Sequence, residues 1–184
     1  MRLFIASTFP PEVLRALNER VDRVRPRLPQ AAWVKPESQH LTYAFLGEQS
    51  EDLIPRLEQS MQRELAPVGK FDATLQGSGF FPNPRRARVG WVGVDPPAVF
   101  CAAATAVRRA VTEAGVELDR ADFRPHLTLV RMRDGWPPLC IDTFQKTLRD
   151  FVSEPFRVDA VTLFSSQLNP KGAIHTPVKQ FALA

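Results

Sequence analysis

The sequence predicts an α+β fold of two pseudo-symmetric lobes, each an antiparallel-rich sheet with outer helices, which enclose a central groove. Two observations support this fold class. Segments with helical periodicity are interspersed along the chain with short segments of alternating polar and apolar residues. One pattern also occurs twice, as His40-Leu41-Thr42-Tyr43-Ala44-Phe45 and as His126-Leu127-Thr128-Leu129-Val130-Arg131. Two sheets that each give one copy of this pattern to a shared groove account for both observations.

The elements of the first half are predicted from local signals. A strand over residues 2–6 precedes a helix that opens at Pro10-Pro11 and keeps its apolar stripe as far as Val24. A short strand at residues 32–34 leads to the first motif strand, which Gly47 ends. A second helix comes next, and its apolar stripe has these members: Leu53, Ile54, Leu57, Met61 and Leu65.

The second half alternates in the same way. Its expected elements are strands over 71–81 and 87–94 around a turn at 82–85, an alanine-rich helix over 99–111, the second motif strand at 126–131, a helix over 141–151, one strand over 156–166, a turn at 169–172 and a last strand at 173–183. The two strands around the first of these turns predict a β-hairpin.

Length, composition and charge bound the class of protein. The 184 residues suit one bilobal domain over residues 1–184, and 44% hydrophobic with 24% charged residues argue against a disordered chain. A formal net charge of +4 favours a polyanionic partner. Arginines cluster in Arg85-Arg86-Ala87-Arg88 and in Arg108-Arg109, where the alternative to binding is a solvated surface.

The cysteines and the N-terminus indicate a cytoplasmic protein. Cys101 and Cys140 have no C-x-x-C spacing and lie in apolar stretches, so we expect small core residues. The chain opens on a strand-like run without the pattern of a secretory signal, and no apolar stretch has the length of a membrane span.

Each motif pairs an imidazole with a hydroxyl two residues later. Because successive side chains on a strand point to opposite faces, His40 and Thr42 share one face, and His126 and Thr128 share another. An imidazole accepts a proton when neutral and donates one when protonated, and its ordinary pKa of about 6.5 permits both near neutral pH. Two facing half-sites therefore predict acid–base cleavage of a phosphodiester held between them.

Other site chemistries have less support. Neutral imidazoles also bind zinc, but the motifs contain no Asp, Glu or Cys at ligand spacing, and the third histidine, His175, lies in an unrelated setting. The sequence has no G-x-S-x-G nucleophile elbow and no P-loop. We therefore expect neither a metal ion nor a cofactor.

The residues around both motifs resemble those of one family over nearly the full length of the chain. The segments that carry the resemblance are 2–6 (RLFIA), 40–42 (HLT), 45–47 (FLG), 80–82 (FFP), 88–91 (RVGW), 123–131 (FRPHLTLVR) and a 166–172 turn. With this ordered set, the chain resembles the 2H phosphoesterases, and among them the bacterial RNA 2′,3′-cyclic phosphodiesterases, also called 2′-5′ RNA ligases.

The resemblance implies a reaction and a role for each site residue. The reaction is metal-independent hydrolysis of an RNA 2′,3′-cyclic phosphate to a 2′-phosphomonoester, and the same chemistry in reverse permits 2′-5′ ligation. His126 would be the proton acceptor that activates water, and His40 the proton donor to the departing 3′ oxygen. Thr42, Thr128 and Arg131 would bind the phosphate.

Several side chains have an orientation that the sequence leaves open. Strict alternation places Arg131 on the face opposite Thr128, so its length or a β-bulge must bring it round. His175 stands where relatives of the resembled family usually carry a tyrosine, and we expect it to be exposed rather than a stacking surface. The other aromatic candidates for stacking on a base are Trp33, Phe80, Trp91 and Trp136, with core packing favoured for Trp91.

The expected partner is RNA with 2′,3′-cyclic phosphate ends, for example tRNA fragments. Two alternatives stay open, namely an RNA-end-binding protein without turnover and a phosphodiesterase of small cyclic nucleotides. We infer no membrane and no obligate protein partner, and we expect a monomer.

Overall fold

The computed structural model of the chain describes residues 1–119, 121–169 and 172–184. In these residues the strands and helices are β1 (Arg2–Ser7), α1 (Pro11–Asp22), β2 (Ala32–Trp33), β3 (Leu41–Glu48), α2 (Leu53–Leu65), β4 (Phe71–Phe81), β5 (Val89–Asp95), α3 (Pro97–Glu113), β6 (His126–Arg131), α4 (Pro138–Leu148), β7 (Phe156–Val158), β8 (Ala160–Asn169) and β9 (Gly172–Ala182).

The strands form two antiparallel sheets, which confirms the predicted fold class. Sheet A has the strand order β3-β1-β8-β9, and sheet B has the order β2-β6-β5-β4-β7. The first motif strand, β3, is an edge strand of sheet A, whereas the second, β6, lies inside sheet B between β2 and β5. Each sheet therefore carries one motif, as the sequence predicts.

The helices pack in two pairs on the buried sides of the sheets. Helices α2 and α3 lie against each other, with α3 in contact with β3 and α2 in contact with β9. Helix α1 packs on α4, and α4 contacts β4. Since the apolar stripes of the helices and one face of each sheet are buried together, this contact forms the core and leaves the opposite sheet faces for the site.

The predicted strand over residues 156–166 is wrong as a single element. Strand β7 pairs with β4 in sheet B, whereas β8 pairs with β1 in sheet A. The burial pattern changes phase at Asp159, because Phe156 and Val158 are buried before it and Val161 and Leu163 after it. The chain therefore crosses from one sheet to the other at a point where the sequence pattern looks continuous.

Smaller differences concern element ends and the last turn. Helix α1 ends before Val24, where a 3₁₀ turn that contains Pro26 begins, and α4 ends before Phe151. Of the turn predicted at 169–172, Pro170 and Lys171 lie outside the described residues. The two cysteines are free thiols at half-buried positions. Within the described part of the chain, no helix is long and apolar enough to cross a membrane.

Candidate active site

The two motif strands lie next to each other at the junction of the sheets. Cα atoms of β3 and β6 come within 8 Å. In each motif the leucine after the histidine is fully buried, while the histidine and the threonine are half-buried. The two imidazole–hydroxyl pairs therefore lie on the sheet faces that the helices leave uncovered, as the alternation predicts.

Both imidazoles are held by the same local contact. The Nδ1 atom of His40 lies 2.8 Å from the carbonyl oxygen of Ser38, and Nδ1 of His126 lies 2.6 Å from that of Arg124. Because a carbonyl oxygen only accepts, Nδ1 carries the proton that is donated in each bond. The other ring nitrogen, Nε2, makes no hydrogen bond within the described residues, so it is the atom that exchanges protons with a bound molecule.

A β-bulge turns Arg131 towards the site. Trp91 pairs with Thr128, but Gly90 pairs with Val130, so Leu129 is an extra residue on β6. Val89 pairs with Arg131 and stands two residues before Trp91, which returns Arg131 to the face of Thr128. Of the two routes that the sequence left open for Arg131, the structure contains the bulge.

The first motif has the same bulge at the same position. Ala6 pairs with Thr42 and Ile5 with Ala44, so Tyr43 is the extra residue on β3. The bulge turns Phe45, the counterpart of Arg131, onto the face of His40, where it pairs with Phe4. Phe45 is 63% exposed. The fifth position after each histidine therefore faces the groove, with a phenyl ring in one half and a guanidinium in the other.

An aromatic ring supports each imidazole. The Phe4 ring lies 4.8 Å from the His40 ring, and the Phe81 ring lies 4.8 Å from the His126 ring with its edge towards it. Trp91 also lies on this face, 6.2 Å from His126, and its indole covers Gly79, where a Cβ atom would come within 2.3 Å of the ring. The expectation that Trp91 belongs to the core is therefore wrong.

The other aromatic candidates lie elsewhere. Phe80 and Trp136 are buried in the core beside Phe144, and Arg25 lies 5.0 Å above the ring of Trp33. On β4 the residue after Phe80, Phe81, is the one that lies at the site. Sequence reasoning missed both supporting rings, Phe4 and Phe81, although period-two alternation on β4 offered a choice between Phe80 and Phe81.

His175 belongs to the site, so its expected exposure on the surface is wrong. Ser166 on β8 pairs with His175 on β9, and Arg2 on β1 pairs with the same Ser166. The His175 ring is half-buried, lies 5.2 Å from the His40 ring with its edge towards it, and is 4.9 Å from the Phe4 ring. Three imidazoles of this chain are thus gathered in one region.

Burial and nearby positive charge favour the neutral form of the histidines. Burial is the largest cause that lowers the pKa of His40 from 6.5 to about 4, and His175, Arg131 and His126 lower it further against the bond to Ser38. Burial also lowers the pKa of His126, and Arg131 adds to this effect. Arg131 thus acts electrostatically on both imidazoles.

The hydroxyls complete the set of predicted site residues. Within the part of the chain that the structure describes, neither the Thr42 nor the Thr128 hydroxyl bonds another protein group, so both are available to a ligand. The structure brings these residues together at the junction of the two sheets: His40, Thr42, His126, Thr128 and Arg131. Among the described residues, no three His, Cys, Asp or Glu side chains are grouped to hold a metal ion. The arrangement can hold an anion and transfer protons on both sides of it.

A buried amide pair anchors the first half-site and gave no signal in the sequence. The Gln39 side chain is 4% exposed, and its Nε2 and Oε1 form reciprocal 2.9 Å hydrogen bonds with Oδ1 and Nδ2 of Asn18 on α1. Nε2 also donates to the carbonyl oxygen of Val34. Because Gln39 directly precedes His40, this pair fixes the start of the motif to the helix.

Comparisons with known proteins agree with this geometry. The family model described as the 2′-5′ RNA ligase superfamily matches residues 10–170. A Thermus thermophilus protein named RNA 2′,3′-cyclic phosphodiesterase is 34% identical, and the alignment covers 100% of this chain and 90% of the relative. A protein of the same name from Archaeoglobus fulgidus is 31% identical over 98% of this chain and 99% of its own length.

Solved structures show the same architecture. A Thermus thermophilus structure superposes with a TM-score of 0.80 at 30% identity, covering 100% of this chain and 98% of that one. The structure of Escherichia coli LigT complexed with 3′-AMP superposes with a TM-score of 0.75 at 26% identity, covering 99% and 97% of the two chains.

Proposed function

Because the chain belongs to the 2′-5′ RNA ligase superfamily, we propose that it hydrolyses RNA 2′,3′-cyclic phosphodiester ends to 2′-phosphomonoesters without the help of a metal ion. The single observation that carries the proposal is the pair of imidazoles that share one groove, each tethered through Nδ1 with Nε2 left for the substrate. Relatives that match this chain over most of its length are named RNA 2′,3′-cyclic phosphodiesterase, which supports the same substrate.

The proposed reaction assigns one proton transfer to each histidine. Nε2 of His126 takes a proton from water, and the water oxygen attacks phosphorus. The bond between phosphorus and the 3′ oxygen then breaks, and Nε2–H of His40 gives its proton to that oxygen. The phosphate stays on the 2′ oxygen. Attack by the 5′-hydroxyl of a second RNA in place of water, with the same proton transfers, gives a 2′-5′ link.

The remaining site residues stabilise the charge that develops on the phosphate. The free hydroxyls of Thr42 and Thr128 donate to the non-bridging oxygens, and Arg131 offsets the negative charge that grows in the transition state. The anion also acts on the histidines. Because an adjacent negative charge favours imidazolium, a bound phosphodiester raises the pKa of His40 from its low value in the free protein towards the range a proton donor needs.

The proposal includes the context in which the site acts. We propose that residues 1–184 work as one bilobal domain, because each sheet supplies one half of the groove. We also propose a monomeric protein of the cytoplasm, on the support of two free thiols, with RNA ends such as those of tRNA fragments as its partner.

The test is the turnover of an oligoribonucleotide that ends in a 2′,3′-cyclic phosphate, measured in EDTA with the products separated. We expect a 2′-phosphate product from the wild type and loss of turnover in His40→Ala and His126→Ala at unchanged thermal stability. Binding without turnover by the wild type would instead favour an RNA-end-binding protein. Turnover limited to small cyclic nucleotides would move the proposal to that substrate class.

A further inference from the structure

A group of arginines lies beside the groove where β6 ends. The backbone N–H of Arg88 donates to the carbonyl oxygen of Phe81 over 2.8 Å, and the N–H of Met132 donates to the carbonyl oxygen of Arg88 over 2.8 Å. The Arg88 guanidinium in turn donates to the carbonyl oxygen of Arg133. These bonds tie Arg88 and Arg133 to the end of the strand that carries Arg131.

A rigid turn presents two more arginines at the same place. The Oδ1 atom of Asn83 accepts hydrogen bonds from the backbone N–H groups of Arg85 and Arg86 over 3.0 and 3.1 Å, and residues 84–86 form a 3₁₀ turn. The turn starts three residues after Phe81, whose ring supports His126. We call Arg85, Arg86, Arg88 and Arg133 the arginine ridge.

The charge of the arginine ridge is not neutralised by the protein. All four side chains belong to exposed residues, and none of them makes an ion pair in the described part of the chain. Other arginines do, since Arg63 pairs with Glu113 and Arg157 with Asp72. No acidic residue occurs between Phe81 and Val94, and Asp134, which follows Arg133, makes no ion pair with the ridge among the described residues. A dense positive surface of this kind attracts phosphates.

We propose that the arginine ridge binds the phosphate backbone of the RNA strand that leads up to the cyclic end, so that the protein prefers oligoribonucleotides over nucleoside 2′,3′-cyclic monophosphates. The inference rests on the proposed function, because Arg131 joins the ridge to the groove in which the cyclic phosphate sits. A mononucleotide has no upstream phosphate and does not reach the ridge. Backbone contacts also carry no base preference, which suits a site that accepts RNA ends of differing sequence.

The test compares two substrates in two double variants. Arg85→Gln/Arg86→Gln removes two charges from the ridge, and Arg56→Gln/Arg109→Gln removes two exposed charges from α2 and α3 as the matched control. We expect the ridge variant to lose about tenfold in kcat/KM on an oligoribonucleotide with a cyclic end, with its salt slope smaller by about 1.4. Its kcat/KM on a nucleoside 2′,3′-cyclic monophosphate and both values for the control variant should stay unchanged.

The outcomes separate the inference from the proposed function. Equal loss on both substrates, or no loss on the oligoribonucleotide, would overturn the role of the arginine ridge. If the wild type turned over neither substrate, the proposed function would fail, and the ridge would then be tested by anisotropy with a labelled RNA that ends in a 2′-phosphate. In that measurement, an equal affinity of the wild type and the ridge variant for the labelled RNA would overturn the role of the arginine ridge.

Discussion

The two half-sites share a scaffold and differ in what they place on it. Each has an imidazole tethered to the carbonyl oxygen two residues before it, a supporting phenyl ring at 4.8 Å and a bulge three residues after the histidine. The residue that each bulge turns into the groove is Phe45 in one half and Arg131 in the other. The common features orient the two imidazoles, and the sixth motif position makes the two halves chemically unequal.

The histidines also differ in how they are fixed. The strand of His40 is an edge strand, and the buried amide pair of Gln39 and Asn18 ties its start to α1. The strand of His126 is bonded on both sides, and Pro125 precedes the histidine. An edge strand is hydrogen-bonded to a neighbouring strand on one side only. The amide pair therefore gives β3 a restraint that its two neighbours, β2 and β5, already give to β6.

The largest expected effect comes from removing either imidazole, and the leaving group should reveal which is which. His40→Ala and His126→Ala should each lower turnover of the cyclic phosphate by about 10²- to 10⁴-fold. The p-nitrophenolate leaving group of a p-nitrophenyl phosphodiester needs no proton. On this substrate His40→Ala should therefore lose far less activity than His126→Ala does. Equal losses on the activated ester would contradict the assignment of His40 as the donor, and melting curves would check folding.

The next effect concerns the sixth position of each motif. Arg131→Gln should reduce kcat by about 10²- to 10³-fold, as does the loss of one charge-stabilising donor in comparable sites. Phe45→Leu, its counterpart in the other half, should change kcat only a few-fold, because the phenyl ring carries no charge to the phosphate. Steady-state kinetics of both variants on the same cyclic phosphate test this contrast. Comparable kcat values for the two variants would contradict it.

A smaller effect is expected at the amide pair. Asn18→Leu leaves the buried Gln39 amide without its partner, which should cost about 1–3 kcal/mol in the free energy of unfolding. Because His40 then loses its fixed position, kcat should fall about tenfold while KM changes little. Arg20→Ala is the control, since Arg20 ties α1 to the carbonyl oxygen of Thr147 on α4. An equal fall of kcat in the control would assign Asn18 a purely structural role.

The smallest effect lies in the pH profile. In the free protein both imidazoles have lowered pKa values, so the singly protonated pair that the reaction needs is lost as pH rises above them. The value of kcat/KM should therefore peak below pH 6.5 and fall by about tenfold per pH unit on the alkaline side. His175→Phe removes one cause that lowers the pKa of His40, so one limb of the profile should move to higher pH. A profile in which neither limb moves would exclude His175 from tuning the pKa of the donor.

The sequence predicts the features of this molecule that depend on local periodicity. Alternation identified both motif strands and the burial of Leu41 and Leu127, and apolar stripes located the helices. The duplicated pattern also pointed to His40, Thr42, His126 and Thr128 before any geometry was available, and the family resemblance added Arg131; their roles stay predictions. These signals are local because period two and period 3.6 are set by the backbone itself.

The features that escaped prediction depend on partners distant in the chain. A bulge is defined by the register with the neighbouring strand, so Arg131 gave no local sign of its direction. His175 reaches His40 only because β9 pairs with β8, and Gln39 meets Asn18 only after α1 packs beside the motif. The crossing at Asp159 likewise appears in the burial pattern only when both sheets are known.

The Nδ1 tethers also determine how the site is reset after each turnover. With Nδ1 committed to a carbonyl oxygen, each ring gains and loses its reacting proton through the groove-facing nitrogen alone. In the proposed hydrolysis His126 therefore ends protonated and His40 ends neutral, the inverse of the starting state. That inverse state is the one in which a 2′-phosphate product can be closed again to the cyclic ester. Once the product has left the groove, proton exchange with bulk water restores the starting protonation state of both histidines. Only this exchange commits the cycle to the forward direction.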